Sequence, residues 1–167
     1  MHERIAIIGG TGDLGFGLAR RWAFAGIEIV IGSRHEQKAR AQLAPTIGGK
    51  ATRVLGLWQG SAAAQARELA PAGTRVLSAF HNVSAEVLQE LSAFPDCDVL
   101  ICGDDQGAKK MLSTLIKRIP GLRPVDAGSL EMARIVESLT ALLISVNQRY
   151  KVKHSGIRIT GVAANSA

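Results

Sequence analysis

Short, continuous apolar runs alternate along the chain with segments whose apolar residues recur at helical spacing. The runs are typical of strands buried on both faces of a parallel sheet, and the spacing is typical of amphipathic helices. The predicted strands are residues 4–8, 27–31, 76–80, 99–102 and 122–125, with a short candidate at 54–58. The predicted helices are residues 14–25, 36–43, 61–69, 84–92, 106–119 and 129–147. This alternation predicts an α/β fold, an open parallel sheet with right-handed crossovers and flanking helices.

The length of the chain fits a single domain. Its 167 residues, 47% of them hydrophobic, are enough to bury a core of their own. We predict one domain over residues 1–167, ending in a C-terminal helix and a basic tail at 129–167 that finishes as an extended arm. The helix at 129–147 is apolar on most sides, which is typical of burial in a core or at a subunit interface. We therefore expect a homodimer.

A glycine cluster follows the first predicted strand directly and precedes the first predicted helix. Its glycines fit the pattern G-x-G-x-x-G, in which they permit a tight turn, a close approach to a pyrophosphate and close packing of helix on strand. The pyrophosphate would bind at the helix N-terminus, where N–H groups lack internal partners. This context predicts a Rossmann-like dinucleotide-binding domain. The predicted loop residues are Gly10, Thr11, Gly12, Asp13, Leu14 and Gly15.

The end of the second predicted strand indicates which dinucleotide binds. An NAD-type site carries an acidic residue there for the ribose 2′-hydroxyl, whereas this chain has Ser33 and Arg34. A serine hydroxyl and an arginine fork suit a 2′-phosphate, and Lys38 adds charge on the same helical side. The alternative is that Arg34 and Lys38 are solvated surface residues. Their position after the strand favours NADP.

The charge balance favours small anionic ligands. The net charge is +6, only 4% of the residues are aromatic, and no nucleic-acid motif is present. No apolar run approaches the roughly 18 residues of a membrane span, and no signal-peptide pattern precedes the first strand. We therefore expect a cytoplasmic protein that binds neither nucleic acid nor membranes.

Few side chains suggest chemistry of their own. Cys97 and Cys102 lie in or beside an apolar run and are expected to be reduced and structural. Asp104, Asp105 and Asp126 each follow a predicted strand. An acid pair can be catalytic, but this position favours helix N-capping. Because the sequence shows no Ser/His/Asp set and no metal-ligand cluster, we predict no catalytic side chain and no metal.

Several segments resemble the NADPH-dependent reductases of the 8-hydroxy-5-deazaflavin coenzyme, coenzyme F420. The segments are GGTGDLG at 9–15, GSR at 32–34 with Lys38, SAFHNV at 78–83, CGDD at 102–105, GLRPVDAG at 121–128 and ESLT at 137–140. The resemblance covers about residues 4–44 and 74–161. The later segments are more discriminating than the glycine loop, because Rossmann proteins in general need not carry them.

The resemblance implies an oxidoreductase that transfers a hydride between NADPH and the deazaflavin. The cofactors carry that chemistry, and the protein supplies placement and electrostatics. The resemblance also implies that His81, Asn82 and Val83 contact the deazaflavin ring through their side chains or backbone amides. Without the resemblance, a histidine satisfied within its own loop would be the simpler interpretation.

The chain is shorter than the family pattern, and the loss falls between about residues 44 and 62. A Thr-(Val/Ile)-Pro segment that lines the nicotinamide in the family has no counterpart in this sequence. Two alternatives therefore stay open. One is an NADPH-dependent reductase of another acceptor, such as an imine, a flavin or a ferric chelate. The other is a catalytically weak NADP-binding sensor or interaction protein.

Overall fold

The structure, a computed structural model, describes residues 4–8, 12–32 and 61–162. The chain divides into two compact units, one of Met1–Gly56 with Ala85–Ala93 and one of Leu57–Ser84 with Phe94–Ala167. Each unit is described by itself, and the single domain predicted from the sequence stays a prediction. Several predicted features lie outside the described residues: Gly10, Thr11, Ser33, Arg34, Lys38, the helix at 36–43 and the strand at 54–58.

The described elements follow the predicted alternation of strands and helices. In chain order they are β1 (Arg4–Ile8), α1 (Asp13–Phe24), β2 (Glu28–Gly32), α2 (Ala62–Leu69), β3 (Leu77–Ser78), α3 (Ala85–Gln89), β4 (Cys97–Gly103), α4 (Gln106–Ile116), β5 (Leu122–Asp126), a 3-10 turn (Leu130–Met132), α5 (Ala133–Val136) and α6 (Leu139–Tyr150). No helix among these elements is long and apolar enough to cross a membrane.

The first unit pairs β1 with β2 in parallel, in register from Arg4 opposite Glu28 to Ile8 opposite Gly32. Helix α1 buries an apolar stripe that includes Trp22, as its spacing predicts. The guanidinium of Arg21 donates hydrogen bonds to three carbonyls at the end of α3, at distances of 2.6–3.0 Å. These bonds and the packing of α1 on α3 attach residues 85–93 to this unit.

The second unit centres on β4, whose seven residues are all buried. β4 pairs in parallel with β5, from Cys97 opposite Leu122 to Ile101 opposite Asp126. On its other side β4 meets the two-residue β3, which runs antiparallel and differs from the all-parallel sheet predicted. β3 is also shorter than predicted, because the chain turns at Phe80, whose φ is 70°. The core cluster packs Ala63, Leu100, Cys102, Val125, Leu130, Ala133 and Val136 together.

The long helix predicted at 129–147 is wrong, because the chain forms a 3-10 turn, α5 and α6 there. Hydrogen bonds from Ser138 to Ile135 and from Thr140 to Glu137 tighten the backbone between α5 and α6 into turns. Within the single chain, only the first part of this segment is buried in the core, and burial of the rest at a subunit interface stays a prediction. Leu130, Ala133 and Val136 are buried, whereas α6 has no buried residue.

The C-terminal arm after α6 is held by a buried carboxylate on β4. Asp98 accepts hydrogen bonds from the Arg123 guanidinium at 2.5 and 2.6 Å and from the Ile159 N–H at 2.6 Å. The Asp98 N–H donates to the Ile157 carbonyl at 2.8 Å, so the arm lies beside the start of β4. Arg158 pairs with Asp98 and with the exposed Asp96. An extended arm was predicted here, but its attachment through Asp98 was not.

Candidate functional site

The described end of the glycine loop leaves the start of α1 without a side-chain cap. Gly12 is the N-cap residue, has extended φ and ψ of −76° and 160°, and offers no side-chain acceptor. Its carbonyl accepts the Phe16 N–H at 2.9 Å, so the helix begins regularly. Among the described residues, the first N–H groups of α1 therefore lack the side-chain acceptor that Ser, Thr, Asn or Asp would supply at the N-cap. Such a helix start can receive the oxygens of a pyrophosphate.

Of this loop, the structure describes the four residues from Gly12 to Gly15. Gly12 and Asp13 are exposed, Leu14 is half-buried and Gly15 is buried. Sequence reasoning missed Gly17, also buried, where an added Cβ would lie 3.2 Å from the Cβ of Leu88. Gly17 therefore lets α1 approach α3 closely. A glycine outside the G-x-G-x-x-G pattern gives no sequence signal for that packing.

His81 lies in the second unit, just after the strained Phe80 at the end of β3. Its ring Nε2 is 2.9 Å from the Ser78 Oγ, and its carbonyl accepts a 2.7 Å hydrogen bond from the Thr140 hydroxyl. Burial lowers the pKa of His81, while the negative charge of Glu137 opposes that change. A non-glycine residue at positive φ beside a half-buried histidine is typical of a functional turn.

Asn82 and Val83 turn their side chains into the second unit. Asn82 is 1% exposed and donates from Nδ2 to the Asp98 carbonyl at 2.6 Å. Its Oδ1 has no hydrogen-bond partner among the described residues. Val83 is 6% exposed and its N–H donates to the Phe80 carbonyl. The contact of these residues with a deazaflavin ring stays a prediction.

Glu137 is a residue of this region to which sequence reasoning gave no role. It follows α5, and its carboxylate accepts the N–H groups of Ala62 and Ala63 at 2.9 and 3.2 Å. The Ser61 hydroxyl accepts the next N–H, from Ala64, at 3.0 Å. The start of α2 is therefore capped twice. The sequence analysis placed Glu137 within a continuous helix at 129–147 and gave no sign of this contact.

The acidic residues that follow β4 and end β5 make contacts within the second unit. Asp105 caps α4 by accepting the Ala108 N–H at 2.7 Å, which confirms the predicted N-cap. Asp104 accepts the Leu130 N–H at 2.9 Å and pairs with Arg67. Asp126 does not cap a helix: it binds the buried Lys109 ammonium through both oxygens at 2.8 Å. Burial alone would raise the pKa of Asp126, but the hydrogen bonds and charge of Lys109 lower it.

The two cysteines are free and buried, as predicted. Burial is the main cause that raises the pKa of each thiol to about 11. The charge of Asp98 adds to the rise at Cys97, and that of Asp126 adds to it at Cys102. Both thiols are therefore protonated at neutral pH and are poor nucleophiles. No cluster of metal-ligating side chains is present in the described part of the chain.

The basic residues near the C-terminus divide into two groups. Arg158 is committed to Asp96 and Asp98, so it belongs to the attachment of the arm. Arg149, Lys151, Lys153 and His154 are exposed, and the ring of His154 lies 3.3 Å from the Ser84 hydroxyl. The sequence left two interpretations of this group, a solvated face or a site for the anionic tail of the deazaflavin coenzyme. Both stay predictions.

Comparison with known proteins identifies relatives over most of the chain. Residues 4–95 match the family described as "NADP oxidoreductase coenzyme F420-dependent". The F420-dependent NADP reductase of Methanothermobacter thermautotrophicus is 36% identical, over 97% of this chain and 97% of its own length. The reductase of the same name from Methanocaldococcus jannaschii is 34% identical, over 95% of this chain and 99% of its own length.

The alignment with the Methanothermobacter protein extends over 224 positions, which exceeds the 167 residues of this chain by 57. The chain is therefore shorter than this relative, as its sequence predicts. A solved structure shows the same fold. A putative F420-dependent NADP reductase from Arthrobacter sp. FB24 superposes with a TM-score of 0.65 and 17% identity, covering 93% of this chain and 98% of its own.

Proposed function

Because this chain belongs to the family of coenzyme F420-dependent NADP oxidoreductases, we propose that it transfers a hydride between NADPH and the 8-hydroxy-5-deazaflavin coenzyme. The family, the Rossmann-like α/β class, the oxidoreductase function and the two cofactors predicted from the sequence are confirmed. The nicotinamide and the deazaflavin supply the hydride chemistry, and the protein brings the two rings together.

The observation that carries this function in the structure is the open start of α1. Gly12, four residues after the end of β1 in the sequence, provides no side chain to cap the helix. An anionic pyrophosphate would gain there from the helix dipole and from N–H groups that no side chain of the described residues caps. By contrast, side chains close the starts of α2 and α4. We assign Gly10, Thr11, Gly12, Asp13, Leu14 and Gly15 to the pyrophosphate.

We assign Ser33, Arg34 and Lys38 to the 2′-phosphate of NADP. The support is the position of Ser33 and Arg34 directly after β2, which ends at Gly32, where the sequence has no acidic residue. Lys38 follows Arg34 by four residues. Arg34→Glu is expected to weaken the binding of NADPH much more than that of NADH. Arg118→Glu makes the same charge change at an exposed residue of the second unit and is the matched control. Equal losses for the two nucleotides would contradict this assignment.

We assign the deazaflavin ring to the turn at His81, Asn82 and Val83. The support is its position at the end of β3, the strained Phe80 and the partly accessible imidazole. His81→Ala is expected to raise the KM for the deazaflavin more than the KM for NADPH. The NADPH value serves as the internal control, since a general loss of structure would change both. Unchanged kinetics would remove His81 from the site.

One assay distinguishes this function from its two alternatives. The purified chain is mixed with NADPH and coenzyme F420, and the absorbance of the deazaflavin is followed. Loss of the oxidised deazaflavin absorbance at the expense of NADPH is the expected result. NADPH oxidation only with an imine, a flavin or a ferric chelate would instead indicate another acceptor. Tight NADPH binding without oxidation by any acceptor would indicate a sensor or interaction protein.

We propose a homodimer formed through α6. Leu142 and Ile144 on this apolar helix are 55% and 53% exposed in the single chain, and a partner helix would cover such side chains. Leu142→Glu is expected to convert a dimer to a monomer in light scattering. Phe94→Glu, at a 72% exposed residue outside any helix, is the matched control. A wild-type monomer would contradict the proposal.

We also propose a cytoplasmic location. The two free, buried thiols suit a reducing compartment. An NADPH-dependent reaction also fits a reducing compartment, because NADPH is itself a reductant. Fractionation of the source cells tests this location, and recovery of the protein outside the cytoplasm would contradict it.

A further inference from the structure

The turn after β3 brings a serine hydroxyl and a histidine ring into contact. Ser78 is 3% exposed and pairs in the sheet with Cys102 of the fully buried β4, so its place is fixed. The chain then turns at Phe80, whose φ is 70°, and the Val83 N–H donates to the Phe80 carbonyl at 3.2 Å. This turn brings the His81 ring back to the serine, with Nε2 2.9 Å from the Ser78 Oγ.

One direction of this hydrogen bond gives both side chains a suitable partner. Within the described part of the chain, the Ser78 hydroxyl has no other hydrogen-bond partner. If Nε2 carried a proton and donated it, the proton of this buried hydroxyl would be left without an acceptor, which is costly. If the hydroxyl donates to a bare Nε2 instead, its proton is satisfied and the neutral ring carries its own proton on Nδ1.

The second ring nitrogen of His81 tolerates that proton. Nδ1 has no hydrogen bond to any described residue, and it is not among the buried polar atoms that lack a partner. A proton on Nδ1 can therefore be solvated by water or donated to a ligand. Burying the proton of Ser78 without an acceptor has no such remedy.

The surroundings of the ring also favour its neutral form. Burial is the main cause that lowers the pKa of His81, and the negative charge of Glu137 opposes that change only in part. No charged side chain of the described residues makes a hydrogen bond to the ring. At neutral pH the ring therefore carries one proton, and the hydrogen bond made by the other nitrogen decides where that proton lies.

We propose that Ser78 is a positioning residue of the deazaflavin site, because its buried hydroxyl donates to the His81 Nε2 and so holds the single ring proton on Nδ1. This inference rests on the proposed contact between His81 and the deazaflavin. With its proton on Nδ1, the ring offers a donor, which suits a coenzyme oxygen that accepts a hydrogen bond. The opposite tautomer would offer a bare nitrogen at the same place and would suit a donor.

The direct test is the nitrogen NMR spectrum of the His81 imidazole in the isotope-labelled protein without cofactors. Protonated and bare ring nitrogens give well-separated signals, so the spectrum shows which nitrogen holds the proton. The His81 signals are assigned by their loss in His81→Gln. At about pH 8, above the usual histidine pKa of about 6.5, we expect a protonated Nδ1 and a bare Nε2. A proton on Nε2 in the wild type would overturn the proposal.

Three variants separate the hydroxyl from the fold. Ser78→Ala is expected to lower the fraction of rings protonated on Nδ1, because no donor then keeps Nε2 bare. Ser78→Thr keeps a hydroxyl at this position and is expected to restore that fraction. Ser84→Ala is the matched control, since it removes a second serine hydroxyl that lies near a histidine, 3.3 Å from the His154 Nδ1. It is expected to leave the His81 signals unchanged.

Two results from these variants would overturn the proposal. One is a wild-type proton distribution in Ser78→Ala, and the other is an equal change in Ser84→Ala. If Ser78→Ala fails to fold, the wild-type spectrum and that of Ser78→Thr decide the question, because a proton on Nε2 in either would overturn the proposal.

A kinetic readout connects the tautomer to the coenzyme. Ser78→Ala is expected to raise the KM for coenzyme F420 by about 2- to 10-fold, the effect of one hydrogen bond. The KM for NADPH is expected to stay unchanged, and Ser78→Thr is expected to remain near the wild type in both. If the tautomer shifts and the KM for coenzyme F420 does not, Ser78 has no role in the coenzyme site and the proposal is overturned.

The two readouts also separate this proposal from the proposed hydride transfer. The NMR result does not depend on turnover, because no coenzyme is present. If the wild type transfers no hydride, titration of the protein with coenzyme F420 measures the affinity in place of the KM. A weaker affinity in Ser78→Ala, together with the proton on Nδ1 in the wild type, would then support the role of Ser78 although the proposed function had failed.

Discussion

The helices that follow β1 and β4 begin in opposite ways. α1 starts after Gly12 without a side-chain acceptor, whereas α4 starts after Asp105, whose carboxylate accepts the Ala108 N–H. The strands before them differ as well. Every residue of β4 is buried, while Ala6 of β1 is exposed. The contrast supports the proposal that the start of α1 receives a ligand, whereas the start of α4 is closed by its own chain.

The first prediction concerns the second unit, where we expect the buried Asp98 to make the largest contribution to the free energy of unfolding. Asp98→Asn is expected to lower the free energy of unfolding by about 3–5 kcal/mol, since it leaves Arg123 without its buried partner. Guanidinium chloride unfolding measures this loss. The matched control is Asp96→Asn, whose side chain is 83% exposed and whose pair with Arg158 is expected to contribute under about 1 kcal/mol. Equally small losses of unfolding free energy in the two variants would show that the ion pair of Asp98 with Arg123 is not needed for stability.

The second prediction concerns the open region. Gly12→Asp is expected to weaken NADPH binding about 100-fold, because a carboxylate at the N-cap would repel the pyrophosphate. The thermal midpoint is expected to stay at or above the wild-type value, since Asp is a better N-cap than Gly. Gly12→Asn supplies the same shape without the charge and is expected to weaken binding less. Calorimetric titration measures the affinity for NADPH of the wild type, Gly12→Asp and Gly12→Asn. An unchanged affinity in Gly12→Asp would contradict pyrophosphate binding at the start of α1.

The third prediction concerns acid. Hydrogen bonds from Arg123 lower the pKa of Asp98 despite its burial, with further contributions from the Ile159 N–H and the Arg123 charge. The stabilisation is complete above the usual aspartate pKa of about 4 and is lost as the pH falls through the lowered folded value. The difference in unfolding free energy between the wild type and Asp98→Asn is therefore expected to shrink below about pH 4. A difference that grew in acid would contradict this account.

The fourth and smallest prediction concerns the cap of α4. Asp105→Ala is expected to lower the free energy of unfolding by about 1 kcal/mol, and Asp105→Asn to leave it nearly unchanged. Neither variant is expected to change NADPH binding, because the closed start contacts no ligand in this account. A loss of NADPH affinity in Asp105→Asn would contradict the proposal that NADPH binds at the start of α1 and not at the start of α4.

The sequence predicted the elements best where glycine and periodicity agree. β1 has its predicted bounds, and α1 is displaced by one residue at each end. α1 ends where Gly26, at a φ of 79°, permits the left-handed turn. By contrast, the strand predicted at 99–102 is longer, at Cys97–Gly103, because Asp98 interrupts the apolar run. Arg123 neutralises that aspartate from 25 positions away, and periodicity does not detect such a pair.

The contacts of Glu137 show which part of the candidate site could not be predicted from the sequence. The order of residues placed His81 at a strand end, and the structure agrees. Glu137 reaches Ala62 across 75 positions of sequence, so no local pattern announces the contact. The apolar pattern of 129–147 predicted an unbroken helix, because helical spacing continues through the turns at Ser138. Long-range polar contacts of this kind were the part that sequence reasoning missed.

The central claim is that this shortened chain still transfers a hydride between NADPH and the deazaflavin. The most direct measurement uses NADPH carrying deuterium at both positions of the nicotinamide C4, with mass spectrometry of the reduced coenzyme. We expect one deuterium in each reduced coenzyme with the wild type, and greatly reduced transfer with Gly12→Asp at the same NADPH concentration. A wild-type chain that binds NADPH but leaves the coenzyme unreduced, or reduces it without deuterium, would contradict the account.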